Sequence, residues 1–263
     1  MAPDEGLISF VERGGVRIQF EVTGEGQPVV LLHGAAGDRT MWHHAGYVDG
    51  LEGFSRVLVD ARGHGHSGKP VGETAYRLEE YVADVEAVIE AVGAPRVALW
   101  GYSDGAHVAA AVAERVPDLV AAMITTGWIA DTGTPEERAA LIHILESSGM
   151  AGLNLMLERE EEISLPPWMS GQFLATDPKV VAAEVRGFGG GERVRASLGA
   201  VRAPALLVVG EREDPEGEAA NVAALLPAGR ALTLPGVGHI GAFLASERVL
   251  PHALRTLREG FAT

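Results

Sequence analysis

The sequence of 263 residues contains no cysteine. This absence excludes disulfide bonds, a cysteine nucleophile and thiolate metal ligands, so cysteine usage does not indicate a compartment. Basic residues are also scarce, with 21 Lys and Arg against 36 Asp and Glu and a formal net charge of −15. Such a chain repels nucleic acid and anionic membrane surfaces, and we expect neither as a partner.

Long apolar runs are missing as well. The longest weakly polar stretch, at residues 120–130, contains two threonines and is too short to span a bilayer. The first five residues include two acids and no apolar core, so we expect no signal peptide and a cytoplasmic protein. Hydrophobic residues at 47% and charged residues at 22% are typical of a globular chain, long enough for one large α/β domain or two small ones.

Strand-like and helix-like patterns alternate along most of the chain. Residues 7–12 and 16–22 alternate in polarity around an Arg-Gly-Gly turn, which predicts an antiparallel hairpin. Apolar runs typical of buried strands follow at 28–32, 54–60, 97–100, 119–126, 204–210 and 231–234. Helical patterns lie at 41–50, from about 76 to 92, and at 106–115, 219–226 and 248–258. This order predicts the α/β class, a mostly parallel sheet with helices on both faces.

Residues 132–191 differ from the rest because they are rich in Leu, Met and Glu and show no strand pattern. We expect a helical cap, or lid, inserted over the sheet edge; the alternative is one more helical layer. The chain then divides into a core, residues 1–131, the cap, 132–191, and the second part of the core, 192–263. We expect Trp128, Trp168 and Phe173 to contact the substrate, although core packing is their alternative role.

The strongest chemical motif lies at residues 101–105, which read Gly-Tyr-Ser-Asp-Gly. An apolar strand precedes it and an Ala-rich helix follows, which is the setting that a nucleophile elbow requires. The turn would lift Ser103 out of the sheet and aim the helix N-terminus at the reacting centre. We therefore predict Ser103 as a nucleophile.

A serine nucleophile needs a base and a carboxylate that orients the base. His239 lies in a glycine-flanked loop after the last predicted strand, and an acidic loop follows the strand before it. A parallel sheet would bring these loops and Ser103 to one edge. We predict Asp214 as the acid, with Glu213 and Asp131 as alternatives.

The loop at residues 60–68 carries two weaker signals. Its Gly-x-Gly-x-x-Gly spacing matches a dinucleotide fingerprint, but no helix opens directly after it, so we expect no nucleotide cofactor. His64 and His66 form half of a metal-binding pattern that nothing completes. We therefore expect neither a metal nor an organic cofactor.

Together these motifs resemble the α/β-hydrolase superfamily over nearly the whole chain. They are His33-Gly34 after the third strand, the Asp-x-Arg-Gly-x-Gly-x-Ser loop at 60–67, the elbow, Gly210 with Asp214, and Gly238-His239. The resemblance implies an eight-stranded, mostly parallel sheet, a cap after the sixth strand, and a structural role for the loop at 60–68. It also implies an oxyanion hole made of the backbone N–H groups of Ala35 and Asp104, with Ala36 as the alternative to Ala35.

This resemblance implies hydrolysis of a small carboxylic ester through an acyl-serine intermediate. Amide, lactone or C–C bond hydrolysis and cofactor-free perhydrolysis are alternatives on the same triad. A small-molecule receptor with little turnover is the alternative of another class. Serine at position 103 disfavours haloalkane dehalogenases and epoxide hydrolases, whose relatives carry Asp there.

The sequence departs from the family at two places. The acid of the Gly210 loop comes one residue later than in many relatives if it is Asp214. Asp104 stands where many relatives carry Met, Leu or Gln, and it is similar to the acid of amino-acid-ester hydrolases of the valacyclovir-hydrolase type. That likeness implies a contact with a substrate ammonium group; the alternative is an acid that complements the helix dipole.

Overall fold

Eight strands form one sheet in the computed structural model, which describes residues 6–127, 134–188 and 198–262. They are β1 (Leu7–Arg13), β2 (Val16–Thr23), β3 (Gln27–Leu32), β4 (Phe54–Val59), β5 (Val97–Tyr102), β6 (Val120–Thr126), β7 (Ala205–Gly210) and β8 (Gly229–Leu234). Their order across the sheet is β1-β2-β4-β3-β5-β6-β7-β8. Strand β2 runs antiparallel to β1 and β4, and the other neighbours are parallel. The predicted fold class is confirmed.

The helices connect these strands on both faces of the sheet. They are α1 (Met41–His44), α2 (Tyr47–Gly50), α3 (Leu78–Val92), α4 (Asp104–Arg115), α5 (Pro135–Glu161), α6 (Pro167–Ala175), α7 (Pro178–Gly187), α8 (Glu218–Ala223), α9 (His239–Leu244) and α10 (Ser246–Phe261). The single helix predicted at 41–50 is two short helices, because Gly46 adopts a left-handed φ of 80° between them. Helix α9 was not predicted because it is too short to show a helical period.

Side chains that alternate along the central strands divide the interior into two cores. Val30 and Leu99 pack on one face with α3 and α4, and Leu31 and Trp100 pack on the other face with α1, α2 and α10. Successive residues of a strand point to opposite faces, so a strand buried on both sides reads as a continuous apolar run. The two cores hold β5 rigidly beneath the turn that follows it.

A cluster of four fully buried aromatic rings supports the end of β5. Trp100 packs edge-on against Trp42 and Tyr47 at centroid distances of 5.8 and 4.9 Å, and Phe243 lies 5.3 Å from each of those two rings. Edge-on aromatic pairs contribute roughly 0.5–1.5 kcal/mol each beyond the area they bury. The cluster therefore ties α1, α2 and α9 to the strand that carries Ser103.

Three helices, α5, α6 and α7, lie between β6 and β7 in the described part of residues 132–191. Each has a proline in its first turn, and Thr134 and Glu137 form a reciprocal capping box at the start of α5. Helix α5 is kinked at Gly149, which adopts a φ of 61° and a ψ of −157°. We refer to these three helices and their connections, residues 134–188, as the cap helices.

Helix α5 is long and apolar enough, by length and composition, to cross a membrane. It packs against α6 and α7, and Leu141, Leu153 and Leu157 line a pocket between the cap helices and the sheet.

Candidate active site

Ser103 lies between the end of β5 and the start of α4, with a φ of 53° and a ψ of −119°. A left-handed φ is strained in a residue other than glycine and is typical of functional turns. Both flanking glycines are needed: a Cβ on Gly101 would lie 2.1 Å from the Gly105 carbonyl oxygen, and a Cβ on Gly105 would lie 2.3 Å from that of Leu32. The local sequence thus forms a strand, a sharp turn and a helix, with Ser103 facing a pocket.

His239 is the first residue of α9 and lies against Ser103. Its Nε2 is 3.0 Å from Ser103 Oγ, and its Nδ1 is 2.8 Å from Glu213 Oε2. An ionised carboxylate only accepts hydrogen bonds, so Nδ1 carries the proton and the Nε2 lone pair faces the serine hydroxyl. Burial lowers the pKa of His239, but the hydrogen bond to Glu213 and the nearby negative charges outweigh it, and the pKa lies above its usual value.

The acid that faces His239 is Glu213, and the prediction of Asp214 is wrong. Asp214 is 5% exposed and caps α8 instead, accepting the backbone N–H groups of Glu218 at 2.6 Å and Ala219 at 3.1 Å. The backbone turns after Gly210, and Glu213 reaches back to the Gly210 N–H at 2.7 Å with its other oxygen. Counting three residues on from the end of β7 is the sequence signal that would have selected Glu213. The other alternative, Asp131, lies outside the described residues.

The loop after β3 packs against Ser103. Gly34 packs so closely that an added Cβ would lie 2.9 Å from the Cβ of Ser103. The N–H of Ala36 donates to His64 Nε2 at 3.2 Å and so is already used. Within the described ranges, the N–H groups of Ala35 and Asp104 donate to no other group of the chain. These are the two N–H groups that the family resemblance implies for the oxyanion hole.

A cavity of about 260 Å³ opens above Ser103, between the sheet and the cap helices. Its wall is mostly apolar and comes chiefly from α5, α6 and α7: Leu141, Leu153, Met156, Leu157, Phe173, Val181, Val185 and Phe188. Polar groups lie beside Ser103, at Asp104 and His107, and on the first turn of α5, at Glu137 and Arg138. A mostly apolar lining with a few polar groups is typical of a small-molecule site.

The structure places the three aromatic residues predicted to contact substrate in different positions. Phe173 lines the cavity. Trp168 does not, because its ring stacks on His44 at a centroid distance of 5.0 Å and attaches α6 to α1. Trp128 lies outside the described residues.

Comparisons with known proteins agree with this architecture. A family model described as alpha/beta hydrolase fold matches residues 27–147. The chain has the alpha/beta hydrolase fold. It is 25% identical over 186 residues to 2-(acetamidomethylene)succinate hydrolase of Mesorhizobium japonicum; the match covers 71% of this chain and 62% of that relative's length.

Two solved structures superpose over almost the entire chain. A thermophilic esterase from Thermogutta terrifontis matches with a TM-score of 0.82 and 25% identity, covering 97% of this chain and 98% of the esterase. An enol-lactonase from Burkholderia xenovorans LB400 matches with a TM-score of 0.83 and 21% identity, covering 95% of this chain and all of that one. At this identity the lactonase supports the fold alone.

The loop at residues 60–68 makes structural contacts through Asp60. Buried Asp60 accepts hydrogen bonds from the backbone of Arg39 and His66 and from the Arg39 guanidinium, at 2.6–2.9 Å. His64 is buried, whereas His66 is 75% exposed, so the two rings do not share a site. Among the residues described, no group of three metal-ligating side chains occurs.

Asp104 extends from the first turn of α4 into the cavity beside Ser103, with 29% of its side chain exposed there. Burial, and then the neighbouring carboxyl of Glu184, raise the pKa of Asp104 to about 7. Glu184 of α7 is 2% exposed, and burial raises its pKa to about 8. Sequence reasoning missed Glu184, because its environment is created by contacts between the cap helices and the core.

Proposed function

We propose that this α/β-hydrolase cleaves a small carboxylic ester through an acyl-serine intermediate. The observation that carries the proposal is the chain of contacts from Glu213 to His239 to Ser103, at 2.8 and 3.0 Å, on the floor of an apolar cavity. The likeness to an esterase of 25% identity supports the same reaction class.

In the first half of the reaction Ser103 Oγ attacks the ester carbonyl carbon while His239 Nε2 takes the hydroxyl proton. The carbonyl oxygen becomes an oxyanion, which the N–H groups of Ala35 and Asp104 stabilise. Glu213 holds the Nδ1 proton and stabilises the imidazolium. The tetrahedral intermediate then collapses, and His239 gives its proton to the departing alcohol.

In the second half water replaces the alcohol. His239 takes a proton from water, the resulting hydroxide attacks the acyl carbon, and Ser103 leaves with the proton that His239 returns. The products are the carboxylic acid and free enzyme. The apolar wall formed by the cap helices surrounds the ester chains, while the cavity's polar groups lie beside the reacting atoms and at α5.

A phosphonate that mimics the tetrahedral intermediate tests the nucleophile. We expect one equivalent to add to the peptide that carries Ser103, and p-nitrophenyl ester turnover to be lost in Ser103→Ala. Labelling at another residue, or undiminished turnover by that variant, would contradict the mechanism. Lactones and peptidyl amides in the same assay identify which acyl bond is preferred.

A further inference from the structure

Glu161, the last residue of α5, reaches from the cap helices to the segment that carries His239, where α5 contacts α9. The residue is 9% exposed. A Cβ built on Gly238 would lie 2.6 and 2.7 Å from its two carboxylate oxygens. The N–H of Gly241 donates a long hydrogen bond of 3.5 Å to Oε2. The carboxylate therefore packs on the main chain that flanks His239.

This contact explains the glycine at position 238. Its φ of −102° lies in a range that any residue adopts, so backbone strain does not require glycine there. The three atoms that an added Cβ would approach most closely all belong to the carboxyl group of Glu161. A substitution at Gly238 would therefore push this carboxylate away from His239, which gives a second way to test its role.

Arg212 lies at the same end of α5 but does not pair with this carboxylate. Its guanidinium donates to the main-chain carbonyl of Glu161 at 3.1 Å and to the carboxylate of Glu162 at 3.2 Å. In the part of the chain that the structure describes, no Lys or Arg side chain forms an ion pair with the Glu161 carboxylate. A carboxylate so nearly buried is costly without a positive partner. The ring of His239 supplies a positive charge whenever it is protonated.

Several titratable groups face His239 from the elements packed around it: Tyr102, Ser103, Asp104, Glu161 and Glu213. Burial lowers the pKa of His239, and the hydrogen bond and charge of Glu213, followed by the charges of Glu161 and Asp104, raise it. Asp104 lines the cavity, whereas Glu161 does not. An effect of Glu161 on the reaction must therefore pass through His239 and not through a contact with substrate.

We propose that Glu161 is a positioning residue for His239: its carboxylate holds the main chain beside the base and stabilises the imidazolium. The inference rests on the proposed function, because that imidazolium forms as Ser103 attacks the ester. The charge of Glu161 is worth more in that transition state than in the resting enzyme, where the ring is neutral. Since Glu161 ends α5, the position of a cap helix thereby affects the basicity of His239.

The ionisation of His239 tests the inference with a readout that needs no substrate. An NMR titration of the ring, assigned by comparison with His239→Gln, measures its pKa in the free enzyme. Glu161→Gln keeps the size of the side chain and removes the charge, so the pKa of His239 should fall by at least about 0.5 unit. Glu162→Gln is the matched control. Glu162 is exposed and pairs with Arg212, so this variant should leave the pKa of His239 unchanged.

Gly238→Ala is an independent variant, since its Cβ would displace the Glu161 carboxylate. It should lower the pKa of His239 as well, and it should have no further effect in a Glu161→Ala background, where the Cβ has room. Asp104, with its pKa of about 7, titrates in the same pH range. The effect of Glu161→Gln should therefore be measured again in Asp104→Asn, where it should persist.

The rate at which a p-nitrophenyl phosphonate modifies Ser103, measured against pH, connects this ionisation to the reaction. In Glu161→Gln the rising limb of the rate should move to lower pH by the same amount as the pKa of His239. The plateau should fall, because the imidazolium of the transition state is less stabilised. A merely structural role would lower the plateau and leave the limb in place.

The inference is overturned if folded Glu161→Gln or Gly238→Ala keeps the wild-type pKa of His239, or if Glu162→Gln lowers that pKa as much. Should Glu161→Gln fail to fold, Gly238→Ala still decides. Absence of phosphonate on Ser103 of the wild type would instead refute the proposed function, while the NMR titration would still show whether Glu161 acts on His239.

Discussion

Glu213 and Asp214 are adjacent acids that meet different partners. Glu213 has the longer side chain and spans from the Gly210 N–H to the His239 ring. Asp214 accepts two N–H groups at the start of α8, where a carboxylate interacts favourably with the helix dipole. The additional methylene of Glu213 and the direction of the turn after β7 thus separate the two roles.

Glu213→Gln should lower kcat by about 10³- to 10⁴-fold, because an amide does not stabilise the imidazolium or enforce the Nδ1–H tautomer. The measurement is kcat for a p-nitrophenyl ester, with folding checked by circular dichroism. The neighbouring variant Asp214→Asn is the matched control. It should keep kcat and lower the free energy of unfolding by about 0.3–1 kcal/mol, because the amide lacks the charge that interacts with the helix N-terminus. If Asp214→Asn lowered kcat more than Glu213→Gln, Asp214 would be the acid that orients His239.

Asp104 gives a second prediction at the residue scale. Its carboxyl lies in the cavity wall beside Ser103, where a substrate ammonium group would lower its pKa and keep it ionised. The hypothesis predicts that wild type prefers an α-amino ester to its des-amino analogue in kcat/KM, and that Asp104→Asn abolishes the preference. An unchanged ratio in the variant would leave Asp104 with its helix-terminal role alone.

At the scale of elements, the cap helices are attached to the core at several points. Gln172 of α6 donates to Asp38 and Thr40, Thr176 donates to Ala36, and Trp168 stacks on His44. These contacts join α6 to the segment after β3, which contains both Ala35 and α1. A displacement of α6 would therefore disturb the loop that carries Ala35 as well as the cavity wall.

Two aromatic residues of α6 have different roles: Phe173 lines the cavity, and Trp168 attaches the helix to the core. Phe173→Ala should enlarge the cavity and shift ester preference toward longer chains, because Phe173 lines it. Trp168→Ala should leave the chain-length profile unchanged and lower the melting temperature, because its ring packs on His44. Profiles over a series of p-nitrophenyl esters, with melting curves, distinguish the two. A changed profile in Trp168→Ala would contradict this assignment.

At the scale of the whole molecule, Glu184 makes stability depend on pH. The unfolded chain ionises this acid near its usual pKa of 4.5, whereas the folded chain holds the proton until about pH 8. Between these values the native state binds more protons, so stability falls as pH rises. The raised pKa of Asp104 likewise makes stability fall as pH rises. The lowered pKa values of buried His33 and His64 make stability rise with pH, in a lower pH range.

Glu184→Gln should therefore gain stability relative to wild type on going from about pH 5 to about pH 8. The quantity to compare is the variant-minus-wild-type free energy of unfolding in urea at the two pH values, since the other buried groups cancel in that difference. A difference that stays constant with pH would show that Glu184 ionises alike in both states.

Local pattern alone was enough for most of the elements and for the position of Ser103 in the turn between β5 and α4. The apolar runs that became β3 to β7 are buried on both faces, and the close approaches of Gly101 and Gly105 are required wherever a strand turns so sharply into a helix. His239 could be selected because it follows the last strand of a parallel sheet. Each of these follows from residues near one another in the chain.

Tertiary structure decided the remaining parts of the site. The choice of Glu213 over Asp214 depends on how the loop after β7 turns toward His239, and the choice of Phe173 over Trp168 depends on how α6 rotates above the sheet. The meeting of Glu184 with His64 joins residues 120 positions apart and leaves no local pattern. Side-chain length and periodicity act within a few residues, whereas hydrogen-bond partners across the cap and the core exist only once the chain has folded.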